Sequence, residues 1–363
     1  MRLPLFLKKG NKEIVAPPKD NRFILSLDGG GLRGIIPATI LVALESAVRT
    51  QEKLQGLYTK AFQSYFDVIS GTSTGGLLAL ALTVPSSLPR SLEAPGQIDF
   101  AELPKIYQSN AQFIFTKEDS SLLGMVNHLF KPKYTPVNLS RLLAQWFGDQ
   151  SISKASTALL IISYDAAHAK LYEFKSTDEM APSAWDAGLA TSAAPSYFPA
   201  HAMGSLMLLD GGVIANNPSI YAYRYAKSLY PKADTYNILS IGTGSTPFKV
   251  TETSSGLFDW ANNIAPLYGT TQHQNMADFV KLLEDATYTR LDAKAPRKSV
   301  KMDDAEPATL SLLDLMGKKA VEDCQQAIDS YASALVQNRI SKEKAEYASQ
   351  ASQAGRKAAK IMR

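Results

Sequence analysis

Two stretches of this chain share one architecture, and together they restrict the fold more than any other feature. Residues 22–27, RFILSL, form an apolar run that ends in the glycines of DGGGLRG and passes into IIPATILVALESAVRTQ (35–51). Residues 65–71, YFDVISG, end in the glycines of GTSTGG and pass into TGGLLALAL. A short apolar run bounded by glycine reads as a strand buried on both faces. After the first loop, Ile36, Ile40, Leu44 and Val48 recur every fourth residue, and Pro37 falls in the first turn, where a missing N–H costs little. Strand, glycine turn, helix, repeated, predicts an α/β fold with parallel pairing.

The rest of the chain extends this pattern. VPSSLPRSLEAPGQ (84–97) is a Pro/Ser-rich loop, followed by helical patterns around FAELPKIYQSNAQFIF and LSRLLAQWFGD. Residues 85–155 therefore read as a helical insertion over the sheet edge. ALLIISYD (158–165), KLYEFKS (170–176), GSLMLLDGG (204–212) and YNILSIGTG (236–244) return to strands, the last two ending in glycines. From about residue 256 the pattern is mostly helical. We divide the chain into an N-terminal extension (1–21), a catalytic unit (22–250) and a helical C-terminal region (251–363) packed on the same domain.

Composition narrows the class. Hydrophobic residues make up 45% and charged residues 20%, ordinary for a globular protein. No apolar run nears the roughly 18 residues of a membrane span, and the N-terminus lacks the pattern of a secretory leader. The single cysteine, Cys324, allows no internal disulfide. The expectation is a cytoplasmic protein, peripheral at membranes, with export by a route that needs no leader left open. The net charge of +4 is too small to suggest a nucleic-acid partner. Residues 340–363 carry Lys342, Lys344, Arg356, Lys357, Lys360 and Arg363 against Glu343 and Glu346, an excess that equals the charge of the whole chain. This tail reads as a solvated terminal helix, with weak contact to anionic lipid as the alternative.

The glycine loops carry the chemistry. Gly71-Thr72-Ser73-Thr74-Gly75 fits G-x-S-x-G, a turn that holds its serine in strained geometry at the top of a sheet, a helix N-terminus behind it. The alternative is a structural turn with Ser73 as helix cap. Gly29, Gly31 and Gly34 fit the spacing G-x-G-x-x-G of a dinucleotide loop. That reading needs an acidic residue at the end of the next strand; Glu52 has the distance but lies in helical sequence, and the next strand ends in the serine turn. Backbone N–H groups in Gly29, Gly30 and Gly31 would instead serve an oxyanion.

A serine nucleophile needs a base. His128, His168, His201 and His273 are each placed where a surface or structurally satisfied histidine is ordinary. Asp210 ends an apolar strand and precedes Gly211 and Gly212, where it is either a base or a turn aspartate capping its own loop. A Ser73–Asp210 dyad and a triad Ser73…Asp210…His273 both fit the order of residues. No metal-ligand motif is present, and no cofactor is expected.

DGGGLRGIIPATIL, DVISGTSTGGLLAL, TSAAPSYFPA and DGGVIANNP together resemble the patatin-like phospholipases, with PKYTPVNLSRLL and ILSIGTGS in further agreement. The resemblance covers about residues 22–246. It implies a patatin-like three-layer α/β/α sandwich with a mostly parallel sheet and a helical insertion. It implies a Ser–Asp dyad on Ser73 and Asp210, and an oxyanion loop on Gly29, Gly30 and Gly31 with Arg33 in the arginine position. Asp28, Arg33, Gly34, Gly71, Gly75, Gly211 and Gly212 read as support, and Asn216, Asn217 and Pro218 as shaping the turn after Asp210. The implied reaction is metal-free hydrolysis of a phospholipid or other acyl lipid, with peripheral membrane contact; the oligomeric state stays open. The same machinery would serve a serine esterase or thioesterase on a non-lipid substrate. Residues 251–363 leave room for control by a nucleotide or a host protein.

Overall fold

Strand β1 (Asn21–Leu27) lies at the middle of the sheet because both its faces are apolar. It pairs in parallel with β2 (Val68–Thr72) on one side and β7 (Thr235–Ile241) on the other. β2 pairs in parallel with β3 (Ala158–Asp165), and β7 with β8 (Ala286–Leu291). The antiparallel pairings gather at one end: β4 (Lys170–Lys175) and β6 (Leu206–Asp210) both pair with β3, and β5 (His201–Met203) pairs with β6. The computed structural model describes residues 19–92, 98–116, 132–244, 275–276, 278–280, 282–294 and 300–361, with side chains to 351.

Alternation along the strands builds two cores. Leu25, Leu27, Ile69, Leu159, Ile161, Leu239 and Ile241 face one; Ile24, Val68, Leu160, Ile162, Tyr236 and Ile238 face the other. The first is covered by α1 (Ile35–Leu54), α2 (Thr74–Thr83) and α8 (Pro307–Ile361), the second by α7 (Ser219–Leu229). This is the expected three-layer sandwich. The insertion supplies α3 (Leu103–Ile114), packed on α1, and α4 (Val137–Phe147), packed on α5 (Ala184–Thr191). A short turn of helix, α6 (Gly212–Ala215), follows β6.

The segment Gly31–Leu54 is long and apolar enough to cross a membrane by composition alone. Here it is a core helix: Ile36, Ile40, Leu44 and Val48 are fully buried against the sheet and α8.

The C-terminal region differs from its helical reading in one element. β8, ATYTRL, extends the sheet beyond β7. Its alternating, mostly polar residues form a half-buried edge strand, which carries none of the apolar continuity of β1 or β7. The 55-residue α8 is continuous to Ile361. Leu313, Met316, Ala320, Ile328, Ala332 and Val336 form its buried stripe along α1. Arg339 ends that contact, bonding Glu52 at 2.9 Å. Glu52 is fully enclosed and also receives Arg49 (2.8 Å) and Tyr65 (2.6 Å). The acid at dinucleotide-loop distance is thus a brace between α1 and α8. Lys342 pairs with Asp67 at 3.3 Å; beyond it, side chains to 351 are nearly all exposed.

Candidate active site

The nucleophile turn follows from close packing. β2 must reverse into α2 within one residue, and Ser73 takes φ 53°, ψ −124° to do so. A Cβ on Gly71 would lie 2.1 Å from the Gly75 carbonyl, and one on Gly75 would lie 2.2 Å from that of Leu27. Neither position has room for a side chain, so the G-x-S-x-G spacing is a steric requirement. Ser73 sits at the N-cap of α2, but its hydroxyl makes no capping bond. It lies close enough to the Asp210 carboxyl to favour that group's charged form.

Residues 191–193, at the C-terminal end of α5, hold both partners. The Ser73 N–H donates to Thr191 Oγ1 at 2.8 Å, and that hydroxyl donates to the Ile162 carbonyl at 2.7 Å. The Asp210 N–H donates to the Ala193 carbonyl at 2.9 Å. From above, the Tyr107 hydroxyl of the insertion helix α3 donates to the Thr74 carbonyl and accepts from the Thr74 hydroxyl at 2.7 Å. Gly34 lies against that Thr74 hydroxyl, and Gly211 against the Ile162 carbonyl.

Asp210 is 4% exposed. Burial pushes its carboxyl from 3.8 up to about 6, against the Ser73 hydroxyl and the Gly212 N–H, which favour the carboxylate. The Gly212 bond is 2.7 Å, so Asp210 caps its own turn and meets the serine together. A carboxylate with this pKa is ionised at neutral pH and a far better base than an exposed aspartate.

The first glycine loop is anchored on every side but one. The Gly29 N–H donates to the Asn216 carbonyl at 3.0 Å. The Gly29 carbonyl accepts from Thr243 Oγ1 at 2.8 Å and from Asn216 Nδ2 at 3.2 Å. Arg33 donates to the carbonyls of Gly30 and Gly244, each at 3.3 Å. In a trans peptide the N–H points opposite the carbonyl, so these bonds turn the Gly30 and Gly31 N–H groups the other way. Neither has a partner among the described residues. Of the three expected donors, Gly29 is therefore committed within the fold, leaving Gly30 and Gly31. Gly31, at φ 58°, also sits where the Met302 carbonyl fills any Cβ position. Arg33 fixes the loop through carbonyls, in the supporting part read for it.

Asp28, fully buried, pairs with Arg290 at 2.7 Å. Arg290 also reaches Asp292 at 2.6 Å and Ser240 at 2.6 Å. Burial disfavours its charge, yet the two carboxylates hold its pKa above the ordinary value. Asn217 closes the turn before α7, its Oδ1 accepting from the Ser219 N–H and hydroxyl.

The two described histidines are engaged elsewhere. His168 pairs with Asp165 in the β3–β4 turn at 2.5 Å, and His201 pairs with Asp186 at 3.0 Å and rests on Trp185. His128 and His273 lie outside the described residues. Sequence reading missed Thr191, Tyr107, Thr243 and Arg290. TSAAPSYFPA is a motif with no role attached to its threonine, and Arg290 falls in a stretch that reads as helical, which gives it no signal.

Comparison with known proteins identifies the family. The family model described as patatin-like phospholipase matches residues 25–223. Patatin-like protein 2 of Oryza sativa subsp. indica is 34% identical over 273 residues, 65% of each chain, so this chain spans about two thirds of that relative. Patatin-like protein 2 of Arabidopsis thaliana is 32% identical over 342 residues, 82% of each chain. Among solved structures, VipD from Legionella pneumophila is 12% identical with a TM-score of 0.43, over 86% of this chain and 67% of its own. The chain belongs to the patatin-like phospholipase family.

Proposed function

We propose that this chain is a lipid acyl hydrolase of phospholipase A type, working through Ser73 and Asp210. The observation that carries this reading is the strand register that sets the strained Ser73 beside a buried Asp210 carboxyl with its pKa raised to about 6. Asp210 takes the hydroxyl proton as Ser73 Oγ attacks the acyl carbonyl. The developing oxyanion is met by the Gly30 and Gly31 N–H groups. Asp210 returns the proton to the leaving alkoxide. It then takes a proton from the water that attacks the acyl-enzyme and passes it to Ser73 Oγ as the ester bond breaks, releasing fatty acid and restoring the serine. Histidine has no part in this scheme, which the placement of His168 and His201 supports. Membrane contact is read as peripheral, since Gly31–Leu54 is engaged in the core.

The test is mass spectrometry of products from mixed phospholipids and neutral lipids, with fluorophosphonate labelling mapped by peptide. Fatty acid with lysophospholipid, and the label on Ser73, are expected. Turnover of water-soluble esters with lipids left intact would turn the reading toward an esterase. Unlabelled Ser73 in active protein would overturn the dyad.

A further inference from the structure

The Gly30 and Gly31 N–H groups are each aimed by the carbonyl of the residue before, because the two ends of a trans peptide point opposite ways. The Gly29 carbonyl, which sets the Gly30 N–H, is held by Thr243 Oγ1 and Asn216 Nδ2. The Gly30 carbonyl, which sets the Gly31 N–H, is held by Arg33, and Arg33 is itself held by the Gly244 carbonyl. Both donors thus take their aim from Thr243 and Gly244, just past the end of β7. What steadies that segment comes from β8. Asp292 follows the last residue of β8. Its Oδ1 accepts from the Gly244 N–H at 2.8 Å and from the Ala293 N–H at 2.9 Å. Its Oδ2 accepts from the Arg290 guanidinium at 2.6 Å. One oxygen orders backbone beside the oxyanion loop, and the other joins the ion pairs around Asp28. Gly242 makes room for this approach, since a Cβ there would lie 2.2 Å from Asp292 Oδ2. The family model ends at residue 223, so this brace lies in the part of the chain that the model leaves unmatched.

We propose that Asp292 is a positioning residue for the hydrolysis, holding Gly244 so that Arg33 fixes the Gly30 carbonyl and turns the Gly31 N–H toward the developing oxyanion. The proposal rests on the hydrolase reading above. The bonds of Asp292 go to Gly244, Ala293 and Arg290, so its effect reaches the reaction through the loop and not through the dyad. Losing an oxyanion donor outright costs roughly a hundred- to a thousandfold in turnover, and misplacing one by about 1 Å costs up to roughly a hundredfold.

The experiment compares Asp292→Ala and Asp292→Asn with the wild type by kinetics on p-nitrophenyl acetate, by thermal unfolding, and by amide exchange in a peptide covering residues 29–36. The Asp292 side chain is 20% exposed, so its truncation is compatible with folding. Asparagine keeps an oxygen for the Gly244 and Ala293 N–H groups and loses the charge that faces Arg290; alanine loses both. The lost ion pair should lower Tm in both variants. In Asp292→Ala alone, kcat should fall roughly ten- to a hundredfold with KM little changed, and exchange over 29–36 should quicken. The acid limb of its pH profile, which belongs to Asp210, should stay in place. A kcat that falls equally in both variants, in step with Tm, reduces Asp292 to a structural part and overturns the proposal. An unchanged kcat in folded Asp292→Ala overturns it too, as does a shifted acid limb, which would place the damage at the base. A wild type that cleaves no ester and takes no fluorophosphonate on Ser73 removes the hydrolase reading by itself. Exchange that alanine quickens and asparagine restores then still supports the hold of Asp292 on the loop, and unchanged exchange overturns it.

Discussion

Thr72 and Asp210 stand one register step apart along β3, opposite Ile162 and Ser163. β4 occupies one edge of β3 from Leu160 to Asp165, so β2 and β6 share the other. They run toward each other and meet head to head. One step is about 3.3 Å, so the residue after Thr72 emerges beside the last residue of β6. The placement of Ser73 beside Asp210 is therefore a product of sheet topology, and Thr191 and Ala193 hold its two halves.

Asp210→Asn is expected to abolish turnover and to stabilise the fold. The native carboxyl titrates near 6 against 3.8 ordinarily. Its folded pKa is raised, so the cost of the buried carboxylate is absent below about pH 4, grows between pH 4 and 6, and is complete above. That cost is on the order of 2–3 kcal/mol. The variant's Tm advantage should thus be a few degrees at pH 7.5 and vanish near pH 4. Wild-type kcat/KM should fall about tenfold per unit below pH 6 as the base is protonated. A variant no more stable at pH 7.5 than at pH 4 would falsify the raised pKa.

Ser73→Gly is expected to be inactive and at least as stable as the wild type. Strain at a non-glycine residue in this backbone region costs about 1–3 kcal/mol, and glycine relieves it at the expense of roughly 1 kcal/mol of chain entropy. Ser73→Ala keeps φ 53° and should show no such gain. Thermal unfolding of the three proteins side by side decides this; a Gly variant clearly below the Ala variant would mean the turn is unstrained.

Arg290→Leu is expected to damage stability before chemistry. It leaves Asp28 buried without its 2.7 Å partner, a loss of roughly 3–5 kcal/mol. Asp28→Asn combined with Arg290→Leu removes both charges and should recover a good part of it. Urea unfolding of the single and double variants makes the comparison. Additive losses would show that the pair is not coupled.

The parts of the site legible in the sequence are those in which backbone geometry dictates the residue. Gly71, Gly75 and Gly31 are glycine because another backbone fills the Cβ position, and such demands leave a motif. Asp210 is legible because an acid closing an apolar run is uncommon. Thr191 and Thr243 act through single hydroxyls at the end of a helix and of a strand, places where threonine is commonplace. Arg290 lies 262 residues from Asp28, and no local pattern joins them. β8 escaped because a polar edge strand has no apolar run. The commitment of the Gly29 N–H could not be read at all, since it depends on which way one peptide faces.

Asp303 is expected to act as a positioning residue for the oxyanion loop. The Leu32 N–H donates to the Met302 carbonyl at 2.8 Å, tying the loop to the segment before α8. The neighbouring Asp303 is 7% exposed and binds Lys133 and the Tyr134 hydroxyl, the latter at 2.8 Å. Burial would raise its carboxyl, but these two donors hold it below the ordinary range, so it stays charged. Lys133 and Tyr134 in turn donate backbone N–H groups to the carbonyls of Ser196 and Tyr197. Asp303→Ala frees Met302 from this clasp. The Gly30 and Gly31 donors then lose their aim, and a displacement of about 1 Å is enough to cost up to roughly a hundredfold. The loss should fall on kcat for an acetyl ester, with KM little changed. Amide exchange should quicken in a peptide covering residues 29–36 and stay slow in one covering β1. Unchanged exchange over 29–36 in a folded Asp303→Ala protein would show that Met302 is held from elsewhere and that Asp303 has no hand in the loop.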